Sequence, residues 1–164
     1  MYGTTGVCEI DNIGTPDFAE EDDERLYYFL DPVYQNGTIY APIDNEKVTV
    51  RKLIEKDEAE KLLQDIETIE PHDTSGKSMQ QLTALYQSAI DSSDVNELLR
   101  LIKFIYGKNT EAILNNKKVG QIDKRFMKKA EELLYGEIAT TTGKDIDTVE
   151  EVFHEKLDSI FPCE

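Results

Sequence analysis

The 164-residue chain has no tryptophan, two cysteines, two histidines and little positive charge, with 18 Lys and Arg against 34 Asp and Glu. Each shortage closes off a class of function. Cys8 and Cys163 stand near opposite ends, so they form neither a CxxC pair nor a disulfide framework. Cys8, inside a strand-like pattern, reads as a small buried hydrophobe, and Cys163 as an exposed thiol. His72 and His154 fit no metal-ligand spacing, since His154-Glu155 is followed by Asp158 where a zinc helix carries its second histidine. Both lie among polar neighbours and offer no Ser/His/Asp arrangement. No run approaches the roughly 18 apolar residues of a membrane span, and the start lacks the basic-then-apolar layout of a signal peptide. The expectations are a cytoplasmic protein with no membrane partner, no enzymatic activity, no cofactor and no metal.

Two local patterns look like sites and fail on spacing. Ser75-Gly76-Lys77-Ser78 ends like a phosphate loop, but the glycine needed five residues before Gly76 is Pro71, and no buried strand precedes it. The acidic run Glu20 to Glu24 lacks the alternation and closing Glu of a calcium loop and reads as a solvated stretch.

The net charge of −16 argues against autonomous binding to nucleic acid, which depends on Lys and Arg. The charge is uneven, however. Residues 1–72 are net −12 and the remainder net −4, and within 100–129 nine Lys and Arg face only Glu111 and Asp123. Lys117, Lys118, Lys124, Arg125, Lys128 and Lys129 gather around the start of one helical pattern. Lys124 with Lys128, and Arg125 with Lys129, are spaced i,i+4 and form a basic flank opposite Phe126 and Ala130. Such a flank can hold phosphates without reading bases. The plainer role of a lysine-rich helix face is solvation.

The periodicity predicts an α+β chain. Val7, Ile10 and Ile13 stand among polar residues after a glycine-bounded turn at Gly3 to Gly6, an imperfect strand alternation. Leu26 to Leu30 and Thr38 to Ala41 supply two further strands around Asn36-Gly37, a two-residue hairpin signal. Three or four such strands fit a small twisted sheet or partial barrel. From Lys56 the period becomes helical, through Ala59, Leu62, Leu63 and Ile66, and is expected to end near Pro71. His72 to Lys77 has linker composition. Ser78 with Gln81 and Asp94 with Glu97 are capping-box patterns opening two helices, the second stopping at Gly107. A third carries Ile122, Phe126, Ala130, Leu133 and Leu134, and Asp147 with Glu150 opens a fourth. The expected organisation is a β domain over 1–55, a bridging helix and linker over 56–77 and a helical domain over 78–164.

Several short motifs recur in an order that resembles one family. Gly3-Thr4-Thr5-Gly6-Val7-Cys8-Glu9-Ile10 is followed by Gly37-Thr38-Ile39-Tyr40-Ala41-Pro42-Ile43-Asp44-Asn45, by Val48-Thr49-Val50-Arg51 and by a helix containing Glu58-Ala59-Glu60-Lys61. This resembles the CarD family, whose first domain also occurs in transcription-repair coupling factors. The resemblance implies a Tudor-like first domain that docks on the RNA polymerase β subunit through Phe18 and the strand Thr38, Ile39, Tyr40 and Ala41. It also implies a helical domain that touches promoter DNA at the upstream edge of the opening bubble. Many family members carry a tryptophan and an arginine pair at the start of the helical domain. Here those positions are Leu82, Ala84 and Leu85, so Leu82 takes the wedge position. A strand usually precedes the Tyr-Gly turn in the family, which implies an edge filled by an upstream segment or by self-association.

The expected function is transcription regulation through polymerase, with promoter DNA met only in the polymerase complex and open-complex formation or stability as the quantity changed. The alternative is a protein adaptor whose helical half binds a protein or itself and never meets DNA.

Overall fold

The computed structural model describes residues 1–19 and 24–162; the acidic run from Glu20 to Asp23 and Cys163 lie outside them. It is α+β. Strands β1 (Cys8–Gly14), β2 (Tyr27–Pro32) and β3 (Ile39–Pro42) form an antiparallel sheet in that order. Five helices follow: α1 (Lys56–Asp65), α2 (Met79–Ser92), α3 (Val95–Leu114), α4 (Gln121–Thr142) and α5 (Ile146–Ile160). No described helix is long and apolar enough to cross a membrane.

The uneven spacing of Ile10 and Ile13 has a structural cause. Ile10 pairs with Leu30 and Ile13 with Tyr28, while the register shifts between Ile10 and Asn12. A bulge at Asp11 inserts one residue, which returns both isoleucines to the same face. The hairpin between β2 and β3 differs from the two-residue turn that Asn36-Gly37 suggests. Its last pair is Leu30 with Ile39, and residues 33–38 form the connection. The longer loop reaches outward for partners. The Val33 N–H donates to the Val7 carbonyl at 2.9 Å, and the Tyr34 hydroxyl lies 3.2 Å from the Gly136 carbonyl and 3.0 Å from Thr140 Oγ1 on α4. Gly136 makes this approach feasible, since a Cβ there would stand 3.0 Å from the Tyr34 ring.

Helices α2 and α3 begin where their caps predict. The Ser78 side chain accepts from the Gln81 N–H while the Gln81 side chain accepts from the Ser78 N–H, and Asp94 accepts from the Asn96 and Glu97 N–H groups. Each cap satisfies N–H groups that have no partner within the helix. The phosphate-loop lookalike is thus a turn at Gly76 followed by an N-cap. The last helix has its N-cap at Asp145, two residues before the expected cap Asp147, and Asp145 makes no side-chain capping bond.

Two helix ends correct the sequence reading. The pattern predicts a stop at Gly107, but α3 runs on to Leu114. Gly107 is a packing position, because a Cβ there would meet the Phe161 ring at 2.7 Å. Helix α1 ends at Asp65 rather than near Pro71. There Lys103, a residue only 3% exposed, donates from its ammonium to the carbonyls of Ile66 at 2.7 Å, Glu67 at 3.1 Å and Ile69 at 2.6 Å. The cation satisfies carbonyls of the C-cap and the turn that follows α1, at the negative end of the helix dipole.

The core joins the five helices and reaches the first residues of the chain. Leu98, Leu99, Leu101, Ile102 and Ile105 of α3 pack with Leu133, Leu134 and Ile138 of α4, and Met1 and Val7 belong to the same cluster. Around its edge a polar staple binds the segment after the sheet to the helices. Arg51 meets Glu137 through two nitrogens, each 2.6 Å from a carboxylate oxygen, and also donates to the Ser93 carbonyl. Glu137 is fully buried and accepts the Ile54 N–H at 2.9 Å, while Ser93 Oγ donates to the Gly3 carbonyl at 3.1 Å. The paired charges and their additional hydrogen bonds offset the cost of burying Glu137.

Candidate interaction surfaces

The sheet's outer face is aromatic. Alternation along β2 puts Tyr27 and Phe29 on one side, and the register sets Phe29 opposite Tyr40 and Tyr27 opposite Pro42. Phe29 and Tyr40 meet edge-to-face with ring centroids 4.9 Å apart, and Phe18 closes over Tyr40 at 5.1 Å and Tyr27 at 6.3 Å. The fold therefore brings Phe18 and Tyr40 together and adds Tyr27 and Phe29. Phe18 is 66% and Tyr40 42% exposed.

The other expected members of this surface divide. Thr38 is exposed and its hydroxyl donates to Asp31 Oδ1 at 2.7 Å. Ile39 is half-buried and Ala41 is 1% exposed, so Ala41 offers only its backbone. That backbone matters because β3 is the last strand of the sheet, with one edge unpaired among the described residues.

The inner face borders a mostly apolar cleft of about 470 Å³ lined by Cys8, Ile10, Tyr28, Leu30, Val50 and Leu53. Cys8 is half-buried rather than fully enclosed, and burial pushes its thiol above the usual range. Tyr2 and Val50 form a single bridge beside this cleft rather than a fourth strand.

The basic window is less open than its composition suggests. Lys103 caps α1, and Lys108 lies 2.8 Å from Asp123, which also accepts from the Tyr86 hydroxyl at 3.0 Å. Five of the six candidate phosphate ligands remain exposed. Lys117 and Lys118 are exposed in the α3–α4 connection, and Lys124, Arg125 and Lys128 are exposed on α4. Lys129 is half-buried, 3.4 Å from Glu132, and Lys128 is 4.0 Å from the same residue. Arg125 lies over the Phe126 ring at 4.9 Å. Arg125, Phe126, Lys128, Lys129 and Glu132, with Gln87 and Ile90 of α2, line a groove of about 520 Å³. Leu82, at the wedge position, is half-buried and packs against the core.

Both histidines have acidic neighbours. His72 Nε2 is 3.4 Å from Glu97 without hydrogen-bond alignment, and His154 is 3.7 Å from Glu131 and 4.0 Å from Glu150. Burial raises the Glu131 carboxyl above its usual range, with His154 opposing the shift. No described cluster of three or more His, Cys, Asp or Glu side chains is arranged to hold a metal ion.

Sequence reading missed Tyr27, Phe29 and the Arg51–Glu137 staple. The first two had a signal, since a period of two through Tyr27-Tyr28-Phe29 puts the outer pair on the face shared with Tyr40. The staple had none, because its partners are 86 residues apart. Comparison of the chain with protein-family models and with curated proteins gives no match in either.

Proposed function

We propose that the protein is a non-catalytic transcription regulator that docks through its sheet on the RNA polymerase β subunit. The observation that carries the reading is an aromatic cluster beside the unpaired edge of β3, in which exposed Phe18 and Tyr40 pack on half-buried Tyr27 and Phe29. An open edge supplies backbone hydrogen bonds to an added strand, and large rings supply anchor area. Tyr34 of the β2–β3 loop and Arg51 of the segment after the sheet both bind α4, so docking the sheet also fixes where α4 points. Lys117, Lys118, Lys124, Arg125 and Lys128 then meet promoter phosphates at high local concentration. The whole chain repels DNA, so polymerase supplies most of the affinity. Contacts that favour the open or the closed complex shift the balance between them.

The test is binding of the purified β lobe to the protein and to a Phe18→Ala, Tyr40→Ala double variant with unchanged circular dichroism. Binding that the variant loses supports the docking reading, and absence of binding by the folded parent rejects it. A second reading, a protein adaptor that never meets DNA, is favoured by the inward turn of Lys103 and Lys108 and by the pairing of Lys128 and Lys129 with Glu132. Changing Lys124, Arg125, Lys128 and Lys129 to Glu separates the two. An unchanged promoter-complex lifetime with intact polymerase binding selects the adaptor.

A further inference from the structure

The outer face of the sheet also carries opposed carboxylates. The register sets Glu9 directly across from Asp31, on the face shared by Phe29 and Tyr40. Like charges in directly opposite positions destabilise a sheet. Asp31 receives the neutral Thr38 hydroxyl, and among the described residues neither carboxylate forms an ion pair. The sequence around them supplies little relief. Residues 1–50 hold two basic residues, Arg25 and Lys47, against eleven acidic ones, and Arg25 is bonded to Asp44 at 2.8 Å. Exposed rings and opposed carboxylates share one chemical preference, which is for a cation.

From this charge complementarity we infer that the face takes an extended segment of a partner protein in which Arg or Lys alternates with apolar residues. The inference rests on the docking reading above and specifies the partner's chemistry. The segment runs beside β3, and its backbone pairs with the open edge. Its cationic side chains lie over the Tyr40 ring and reach across β3 toward Asp31, which offsets the repulsion that Asp31 shares with Glu9 on the strand behind it. Alternation suits an added strand, because residues two apart fall on one face. The charge discriminates against other occupants: nucleic acid and anionic lipid are repelled, and the same face of a second copy would set acid against acid.

The probe is a fluorescently labelled peptide alternating arginine and valine, with a glutamate-valine peptide as control, followed by anisotropy at about 0.15 M salt. The parent protein binds the arginine peptide and not the glutamate peptide. Glu9→Gln with Asp31→Asn weakens binding about tenfold, and Tyr40→Ala weakens it similarly. Asn keeps the oxygen that Thr38 uses, so the first double variant has an unchanged or raised melting temperature as repulsion is removed. A second pair, Glu151→Gln with Glu155→Gln on the exposed surface of α5, removes equal charge elsewhere and changes binding less than about twofold.

Equal losses from the two charge-removing pairs would reduce the effect to general attraction by an acidic protein and overturn the inference, as would no peptide binding. The β lobe gives an independent arm. If lobe binding needs Phe18 and Tyr40 but ignores Glu9 and Asp31, docking stands and the basic segment falls. If the peptide binds as described and the lobe does not, the basic segment stands and polymerase is the wrong partner.

Discussion

In α3, Leu98, Leu99, Leu101, Ile102 and Ile105 are completely enclosed, whereas in β1 both isoleucines are more than half exposed. The same contrast holds across the chain. Of thirteen large hydrophobic residues exposed among those described, nine lie in the first fifty positions. Helices of 20 and 22 residues present long apolar stripes that neighbouring helices cover. A sheet of three strands has two faces, and its own buried residues, Leu30 and Ala41, stand outside the main core cluster. Such a small sheet derives much of its stability from what it packs against. The helices thus form the enclosed body and the sheet the more exposed part, with the segment after the sheet tied to α4 where Arg51 meets Glu137.

That division breaks most directly at the joint. Glu137→Ala removes the carboxylate held by Arg51 and the acceptor of the Ile54 N–H. Breaking a buried pair by deleting one partner costs about 3 to 5 kcal/mol, and urea denaturation should show a loss of that size. Hydrogen exchange sharpens the result, with amides of β1 to β3 losing protection before those of α3. Equal loss of protection in both regions would mean that sheet and helices are one cooperative unit.

A smaller effect, confined to the helical body, is expected from Lys103→Met. It leaves the carbonyls of Ile66, Glu67 and Ile69 without their donor and costs about 2 kcal/mol. Burial lowers the Lys103 pKa below its ordinary 10.5, against the opposing pull of Glu70 and Glu67. Between the folded value and 10.5 the unfolded chain binds more protons, so this group's contribution to stability increases as pH rises through that window. Urea midpoints measured on the alkaline side should show that rise in the parent protein, and it should be missing from Lys103→Met.

Legibility in the sequence follows the range of the interactions. The capping patterns at Ser78 and Asp94 lie within a few residues of the helices they start, and the structure has those helices there. Gly107 looked like a stop because local propensity disfavours glycine in a helix, yet its role is set by Phe161, 54 positions on. The early end of α1 is completed by Lys103, from a helix two elements later. The charge window misled for the same reason: composition counts Lys103 and Lys108 as surface charge, while tertiary contacts turn them inward. On the candidate docking surface, Phe18 and Tyr40 were pointed to by the family resemblance, and both are exposed. The opposed Glu9 and Asp31 were not, because that pairing depends on a register set by a bulge at Asp11.

Tyr34 tests the contact between the hairpin loop and α4. Tyr34→Phe keeps the ring beside Gly136 and removes the hydroxyl that meets the Gly136 carbonyl and Thr140. The expected loss is about 1 kcal/mol in a urea titration. A negligible loss would leave the Arg51–Glu137 staple as the main polar tie between the two regions.

The smallest expected change in stability tests the comparison itself. Phe18→Ala deletes a ring that touches Tyr40 and Tyr27 but is 66% exposed, so truncation forfeits little burial. Its cost should be about 0.5 kcal/mol, far below that of Glu137→Ala in the same titration. A ring that contributes little to the fold is free to serve the docking proposed for this face. A loss of 2 kcal/mol or more would instead make Phe18 a structural lid over Tyr40 and Tyr27, and the outer face would then be a second core rather than a docking surface.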